Sequence, residues 1–181
     1  MITVISCTNR KNSQSLHIAK HYAETLKGLT DEKVELLSLE SLTFDMFEDM
    51  YNADNHAVGL RKIQDELLIP SDRFVFVVPE YNGSIPGILK LFIDACSVYK
   101  MKETFKIGTK KACLVGISAG RAGNLRGMIH LTGMLNYLNV QVLANQLPIS
   151  NMHTVLDKEG NFIHEGTKDV IKAQLEEFVA F

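Results

Sequence analysis

The segment SCTNRKNSQS, residues 6–15, places the hydroxyls of Thr8, Ser13 and Ser15 and the cations Arg10 and Lys11 just ahead of a stretch with helical spacing. Hydroxyl and guanidinium donors at the start of a helix suit an anion. The first backbone N–H groups of a helix lack partners, and its dipole puts partial positive charge there. This is a phosphate site in outline, although the same residues in isolation also describe a surface helix capped by Ser13 or Ser15. Neither G-x-G-x-x-G nor G-x-x-x-x-G-K-S/T occurs in the segment, so a Rossmann fingerprint and a P-loop are not indicated.

Two other short stretches carry similar chemistry. PEYNGS, residues 79–84, follows the apolar run RFVFVV, and SAGRAGN, residues 118–124, follows KACLVGI. The first offers an aromatic ring, an amide and a carboxylate at Tyr81, Asn82 and Glu80. The second sets Gly120 and Gly123 around Arg121, and glycines let a backbone approach a flat ligand closely. A strand-to-helix turn needs the same glycines with no ligand, so neither stretch is decisive alone.

The elements that must position these loops alternate along the chain. Residues 1–6, 33–39, 73–78, 111–117 and 140–144 are short runs rich in Val, Ile, Leu or Phe, several without the alternation of a half-exposed strand. Strands buried on both faces of a parallel sheet read in this way. Between them, Leu16, Ala19, Ala23 and Leu26 recur at helical spacing, with Gly28 as a stop. Further helices are expected from about Ala57 to Ile69, from Pro86 through Ala95, from Leu125 to Tyr137, and around Ile171 to Val179. Repeated strand and helix predict a single three-layer α/β domain over residues 1–181. In such sheets ligands bind beyond the carboxyl ends of the strands, where all three polar loops fall.

Composition narrows the function classes. With 181 residues, 46% hydrophobic and 22% charged, the chain suits one globular domain. A formal net charge of −2 gives no basic field for nucleic acid or an anionic membrane. No apolar run approaches the ~20 residues of a membrane helix, and Met1 leads straight into a strand-like segment, so a cytoplasmic protein is expected. Cys7, Cys96 and Cys113 show no metal spacing and read as free thiols, with Cys7 a buried small residue. His17 and His21 have the spacing of a metal pair but no acidic third ligand nearby, and read as a solvated surface pair; no metal site is expected. Met46, Phe47, Met50 and Tyr51 read as core packing or a subunit contact.

The block from Pro79 to Lys90, PEYNGSIPGILK, followed by Asp94, resembles the P-E-Y-N-x-S-x-P-G-x-L-K signature of the NADPH-dependent FMN reductase family. Thr8, Arg10 and Ser13 fall where that family has its G-S-x-R-x-x-S loop, and Ser118, Gly120 and Gly123 where it has S-x-G-x-x-G-G. Cys7, Thr8 and Asn124 depart from those patterns in place of glycine, serine and glycine, and LDKEGNF, residues 156–162, is similar to the turn before the family's last helix. The resemblance implies a flavodoxin-like three-layer sandwich, a five-stranded parallel sheet of order 2-1-3-4-5 with helices on both faces. It further implies an FMN phosphate held by Thr8, Arg10, Ser13 and Ser15, with the ring along Pro79, Glu80, Tyr81, Asn82 and Gly83 and its pyrimidine side at Ser118, Ala119 and Gly120.

On that resemblance the protein is an FMN-dependent NAD(P)H oxidoreductase. NADPH or NADH would pass hydride to flavin N5, and a quinone, azo compound, free flavin or metal ion would collect the electrons from the same face in a ping-pong cycle. The chemistry belongs to the flavin, so no catalytic side chain is expected. A homodimer or homotetramer through the helices after strands three and four is also implied. The alternative is a non-enzymatic flavodoxin-like electron carrier or flavin-binding module, for which a net charge of −2 is less acidic than usual.

Overall fold

The computed structural model describes residues 1–181. Strand β1 (Ile2–Ser6) leads to helix α1 (Gln14–Lys27) and strand β2 (Val34–Ser38). A long excursion with short 3-10 turns then enters α2 (Val58–Ile63), which widens into a π-helical turn over Gln64–Leu68. Strand β3 (Arg73–Pro79), α3 (Gly87–Cys96), the single turn α4 (Met101–Thr104), β4 (Lys111–Ile117) and α5 (Leu125–Tyr137) follow. The chain ends with β5 (Gln141–Val142), β6 (Leu147–Ile149) and α6 (Glu165–Ala180). All strand pairings are parallel, in the order β2-β1-β3-β4-β5, with β6 also paired to β4. This is the expected flavodoxin-like order.

Continuous apolar strands are explained by two covered faces. Ile5, Phe74, Phe76, Val78 and Leu114 point into one core with residues of α2, α3 and α5. Ile2, Val4, Val75, Val77, Cys113 and Val115 point into the other with α1 and α6. Phe47 and Met50 join the first core and Met46 packs against it, whereas Tyr51 is exposed. No helix is long and apolar enough to cross a membrane.

The fifth strand position differs from the expected unbroken run at 140–144. Ala112 pairs with Val142 and Val115 with Leu147, so three steps along β4 are matched by five along its neighbour. The two extra residues divide the strand into β5 and β6. Gln174 of α6 fills the break: its amide donates to Leu114 O at 3.2 Å and Asn145 O at 2.8 Å, while its carbonyl oxygen accepts from Tyr22 Oη at 2.7 Å. A buried carbonyl that lost its ladder partner is thus satisfied by a side chain.

His17 and His21 also depart from expectation, being half-buried rather than solvated. The turn at residues 156–162 lies over them, closed by the Leu156–Phe162 bridge and by Asp157 accepting from the Asn161 backbone and amide nitrogens at 2.7 and 3.0 Å. His21 lies against Phe162 with ring centroids 4.4 Å apart. Gly160 (φ 88°) passes so near that a Cβ there would stand 2.1 Å from His17 Nδ1.

Candidate functional site

The ends of β1, β3 and β4 rise to one edge, and the ladder continues into their loops. Cys7 N–H donates to Val77 O at 3.0 Å, Glu80 N–H to Ile117 O at 2.9 Å and Ser118 N–H to Ile149 O at 3.0 Å. Each loop therefore leaves the sheet from a fixed point beside the next. Together they bound a cleft of about 420 Å³, within the usual range for small-molecule sites.

The first loop walls the cleft with Thr8, Arg10, Asn12, Ser13, Gln14 and Ser15. Ser13 is the N-cap of α1, accepting from Leu16 N–H at 3.3 Å, so the capping reading and the anion reading hold for one residue. Asn12 turns the chain at φ 52°, a conformation that asparagine tolerates well. The Gln14 and Ser15 N–H groups have no acceptor in the chain. Cys7, directly below, is buried, and burial pushes its thiol well up despite the Val77 backbone contact, so it is no thiolate nucleophile.

The second loop contributes Pro79, Glu80 and Tyr81. Tyr81 and Ser84 exchange backbone hydrogen bonds of 3.0 and 3.1 Å around Asn82 (φ 52°) and Gly83 (φ 75°). Positive φ at both central residues defines a type I′ turn, for which Asn-Gly is the preferred pair. Asn82 and Gly83 consequently shape the turn and do not line the cleft. The tight turn aims the Tyr81 side chain back across the edge, where its hydroxyl meets Thr8 Oγ1 at 2.8 Å.

The third loop supplies Ile117, Ser118 and Ala119. Ser118 Oγ donates to Gly120 O and accepts from Gly123 N–H, both at 2.9 Å, which folds the loop on itself. Gly120 does not line the cleft, and its carbonyl also accepts from Asn151 N–H at 2.9 Å. The Ala119 and Gly120 N–H groups make no hydrogen bond within the chain. Asn124 holds the left-handed conformation of a glycine (φ 58°) and caps α5. Its amide nitrogen donates to Val78 O and Pro79 O at 3.0 and 3.1 Å, and its oxygen accepts from Gly127 N–H at 3.2 Å.

The structure thus brings together Thr8, Arg10, Ser13, Ser15, Pro79, Glu80, Tyr81, Ser118 and Ala119 of the expected set. It adds Asn12, Gln14, Ile117 and Met152. Asn12 and Gln14 lie inside the recognised loop and could have been included on position alone. Met152 arrives from the turn after β6, and a strand of three residues containing Pro148 gives no sequence signal. Chemically, the α1 end of the cleft gathers the Arg10 guanidinium, three hydroxyls and free backbone N–H groups, and fits a phosphate. The far end, between the second and third loops, offers flat backbone and free N–H groups, which fits a planar ring with a polar edge.

A model of the NADPH-dependent FMN reductase family matches residues 1–154. The chain is 32% identical over 131 residues to an NAD(P)H-dependent FMN reductase of Pseudomonas aeruginosa, covering 70% of this chain and 69% of the relative. It is 31% identical over 164 residues to a 2-hydroxy-1,4-benzoquinone reductase of a Burkholderia species, covering 90% and 87%. Among solved structures, an NAD(P)H:(acceptor) oxidoreductase from Paracoccus denitrificans superimposes with a TM-score of 0.74 at 22% identity, over 99% of this chain and 94% of its own. An NADH:FMN oxidoreductase in its apo form gives 0.76 at 15% identity, over 98% and 87%. At those identities the two structures attest the fold.

Proposed function

Since the chain belongs to the NADPH-dependent FMN reductase family, we propose that its cleft holds FMN with the phosphate at the α1 end, and that it reduces a small-molecule acceptor of the quinone type. Family membership makes the protein an oxidoreductase with FMN as cofactor and NAD(P)H as electron donor. The observation that carries the residue assignment is the division of the cleft. Arg10, Thr8, Ser13 and the free N–H groups of the first helical turn converge at one end, and Pro79, Glu80, Tyr81, Ser118 and Ala119 of the second and third loops bound the other.

Bound FMN supplies hydride acceptance from the nicotinamide coenzyme at N5 and release of the electrons to the acceptor in a second half-reaction. The residues of the chain bind and orient. Arg10 offers a charge-assisted pair to the phosphate, and the α1 terminus adds its dipole. Pro79 to Tyr81 and Ser118 to Ala119 confine the ring between two loops that cannot move independently, because Asn124 ties α5 to the end of β3. The Ala119 and Gly120 N–H groups are donors available where negative charge grows at a ring edge. No side chain serves as nucleophile, and the cycle needs none.

The reading includes a homodimer through α3 and α5 in a cytoplasmic setting where NAD(P)H is available. Leu125, Ile129 and Tyr137 expose apolar surface along α5, beside a groove of about 340 Å³ lined by Lys90, Asp94, Gly133 and Tyr137. Sedimentation as a monomer at micromolar concentration would remove that part. The test of the main proposal is anaerobic. The purified protein loaded with FMN should bleach on addition of NADPH or NADH and recover its yellow colour with a benzoquinone. A yellow protein that neither coenzyme bleaches argues for the carrier instead, and failure to bind FMN would overturn the assignment of the cleft.

A further inference from the structure

Charge is unevenly divided along the chain. Between Glu103 and Asp157 there is no aspartate or glutamate, whereas Lys106, Lys110, Lys111, Arg121 and Arg126 all fall in that interval. The same interval supplies β4, the third loop, α5 and the turn that brings Met152 to the cleft. Two of its cations stand beside the far end of the cleft, away from α1. Arg121 is exposed in the third loop, which Ser118 closes through Gly120 O and Gly123 N–H. Ala119, two positions before it, lines the cleft, so the two Cα atoms are at most about 7 Å apart. Arg126 is exposed on the first turn of α5 and lies along the second loop, where a Cβ on Gly83 would stand 3.9 Å from its Cδ. Neither arginine enters an ion pair. Each of the two loops that bound the far end therefore carries one uncommitted guanidinium.

We propose that Arg121 and Arg126 clamp the diphosphate of the nicotinamide coenzyme, so that the protein takes NADH and NADPH alike. The inference rests on the flavin reading above and gives the electron donor a subsite of its own. A coenzyme that presents its nicotinamide between the second and third loops carries its diphosphate one ribose away, about the reach of an arginine side chain. The 2′-phosphate that distinguishes NADPH is on the distant adenosine ribose. Guanidinium forks match phosphate oxygens in pairs and keep their charge at any working pH. The acid-free surround leaves the field of the third loop and α5 positive, which favours an anionic donor.

Other charged and titratable groups near this end act on both coenzymes equally. Glu80 is the one carboxylate lining the cleft. His130 meets Ser84 Oγ through Nδ1 at 2.8 Å, on the row of α5 that also carries Arg126 against the second loop. The apolar row exposed at Leu125 and Ile129 is a different one, so a subunit contact there does not consume Arg126.

The experiment uses the full chain loaded with FMN. Dissociation constants are read from the flavin spectrum during titration with the tetrahydronicotinamide forms of NADH and NADPH, which have no hydride to give. Bleaching without oxygen is followed in parallel with NADH, NADPH and N-benzyl dihydronicotinamide, a donor without phosphate. Arg121→Ala and Arg126→Ala should each weaken both tetrahydro coenzymes about fivefold, less than a buried charged hydrogen bond because the rim is exposed. Half-saturation of bleaching by NADH and by NADPH should shift by the same factor, with the limiting rate within about twofold. The benzyl donor should bleach the variants and the natural protein alike. Arg→Lys at either position should recover only part of the loss, since an ammonium lacks the fork. Unchanged coenzyme affinity, a loss confined to NADPH, or a loss that extends to the benzyl donor or to FMN overturns the proposal. A natural protein that binds FMN yet is not bleached even by the benzyl donor overturns the reductase reading beneath it, an outcome visible before any variant is made.

Discussion

The first and third loops look alike as sequences, each short, polar and placed between a strand and a helix, yet they spend their polar atoms in opposite ways. In the third loop Ser118 bonds to Gly120 and Gly123, and Asn124 uses both amide atoms on Val78, Pro79 and Gly127. In the first loop Thr8 Oγ1 accepts from Arg10 N–H and Ser13 Oγ from Leu16 N–H and Ser15 Oγ, while the Arg10 side chain is exposed. One loop is closed on itself and presents backbone. The other is left one bond short at several atoms, the arrangement expected where a charged ligand completes the set. Polar composition alone does not separate these cases; the direction of each hydrogen bond does.

The contrast makes substitutions in the two loops fail differently. Asn124→Ala should have the largest effect, about 3 kcal/mol of lost stability, because it removes the side-chain bonds to Val78 O, Pro79 O and Gly127 N–H and forces alanine to a positive φ. For a chain of this size that corresponds to a melting point lower by roughly 6 to 12 °C. A melting point within a degree or two of the natural protein would show that the third loop is not the internal brace described.

Arg10→Ala comes next and should leave stability nearly unchanged, since Arg10 is exposed and makes no ion pair. The expected loss is about tenfold in FMN affinity, the scale of one charge-assisted hydrogen bond, with little change for riboflavin. Equal losses for both flavins would contradict a phosphate at the α1 end. Ser118→Ala should produce the complementary pattern at smaller size. About 1 kcal/mol of stability goes with its two bonds, and FMN and riboflavin weaken together because the ring wall is disturbed and the phosphate end is not. A selective loss of FMN in that variant would break the division between the loops.

Most of the fold could be read from the chain because burial on both faces leaves unmistakable apolar runs at 2–6, 73–78 and 111–117. The fifth strand could not, since the two-residue insertion is stabilised by Gln174, some thirty positions away, and nothing local announces it. Which residues gather at the cleft was more legible than how they are held there. The Tyr81 hydroxyl on Thr8 and the positive φ of Asn82 add structural duties to residues that the sequence offers as a ring and an amide. A type I′ turn has an Asn-Gly signature that was available in the sequence. The Tyr81–Thr8 bond spans 73 positions and was not.

The smallest expected effect concerns the support beneath the first loop. Helix α1 carries that loop, and His21 on its flank is packed under Phe162. Burial, with the nearby Lys168 cation adding to it, holds the His21 imidazole below its ordinary value near 6.5, while Glu165 opposes the shift. A histidine with a depressed folded pKa takes up more protons when unfolded, so its contribution to stability is present above about pH 6.5 and is lost as pH falls through the folded value. His21→Gln should therefore flatten the acid side of the stability profile below pH 6.5. Urea midpoints measured between pH 5 and pH 7 test this, and an unchanged acid slope would assign the sensitivity to other groups. Acid stability and FMN binding then separate cleanly. The His21 variant should alter the first for every flavin state and leave the FMN-to-riboflavin ratio intact, whereas changes at Arg10 should do the reverse.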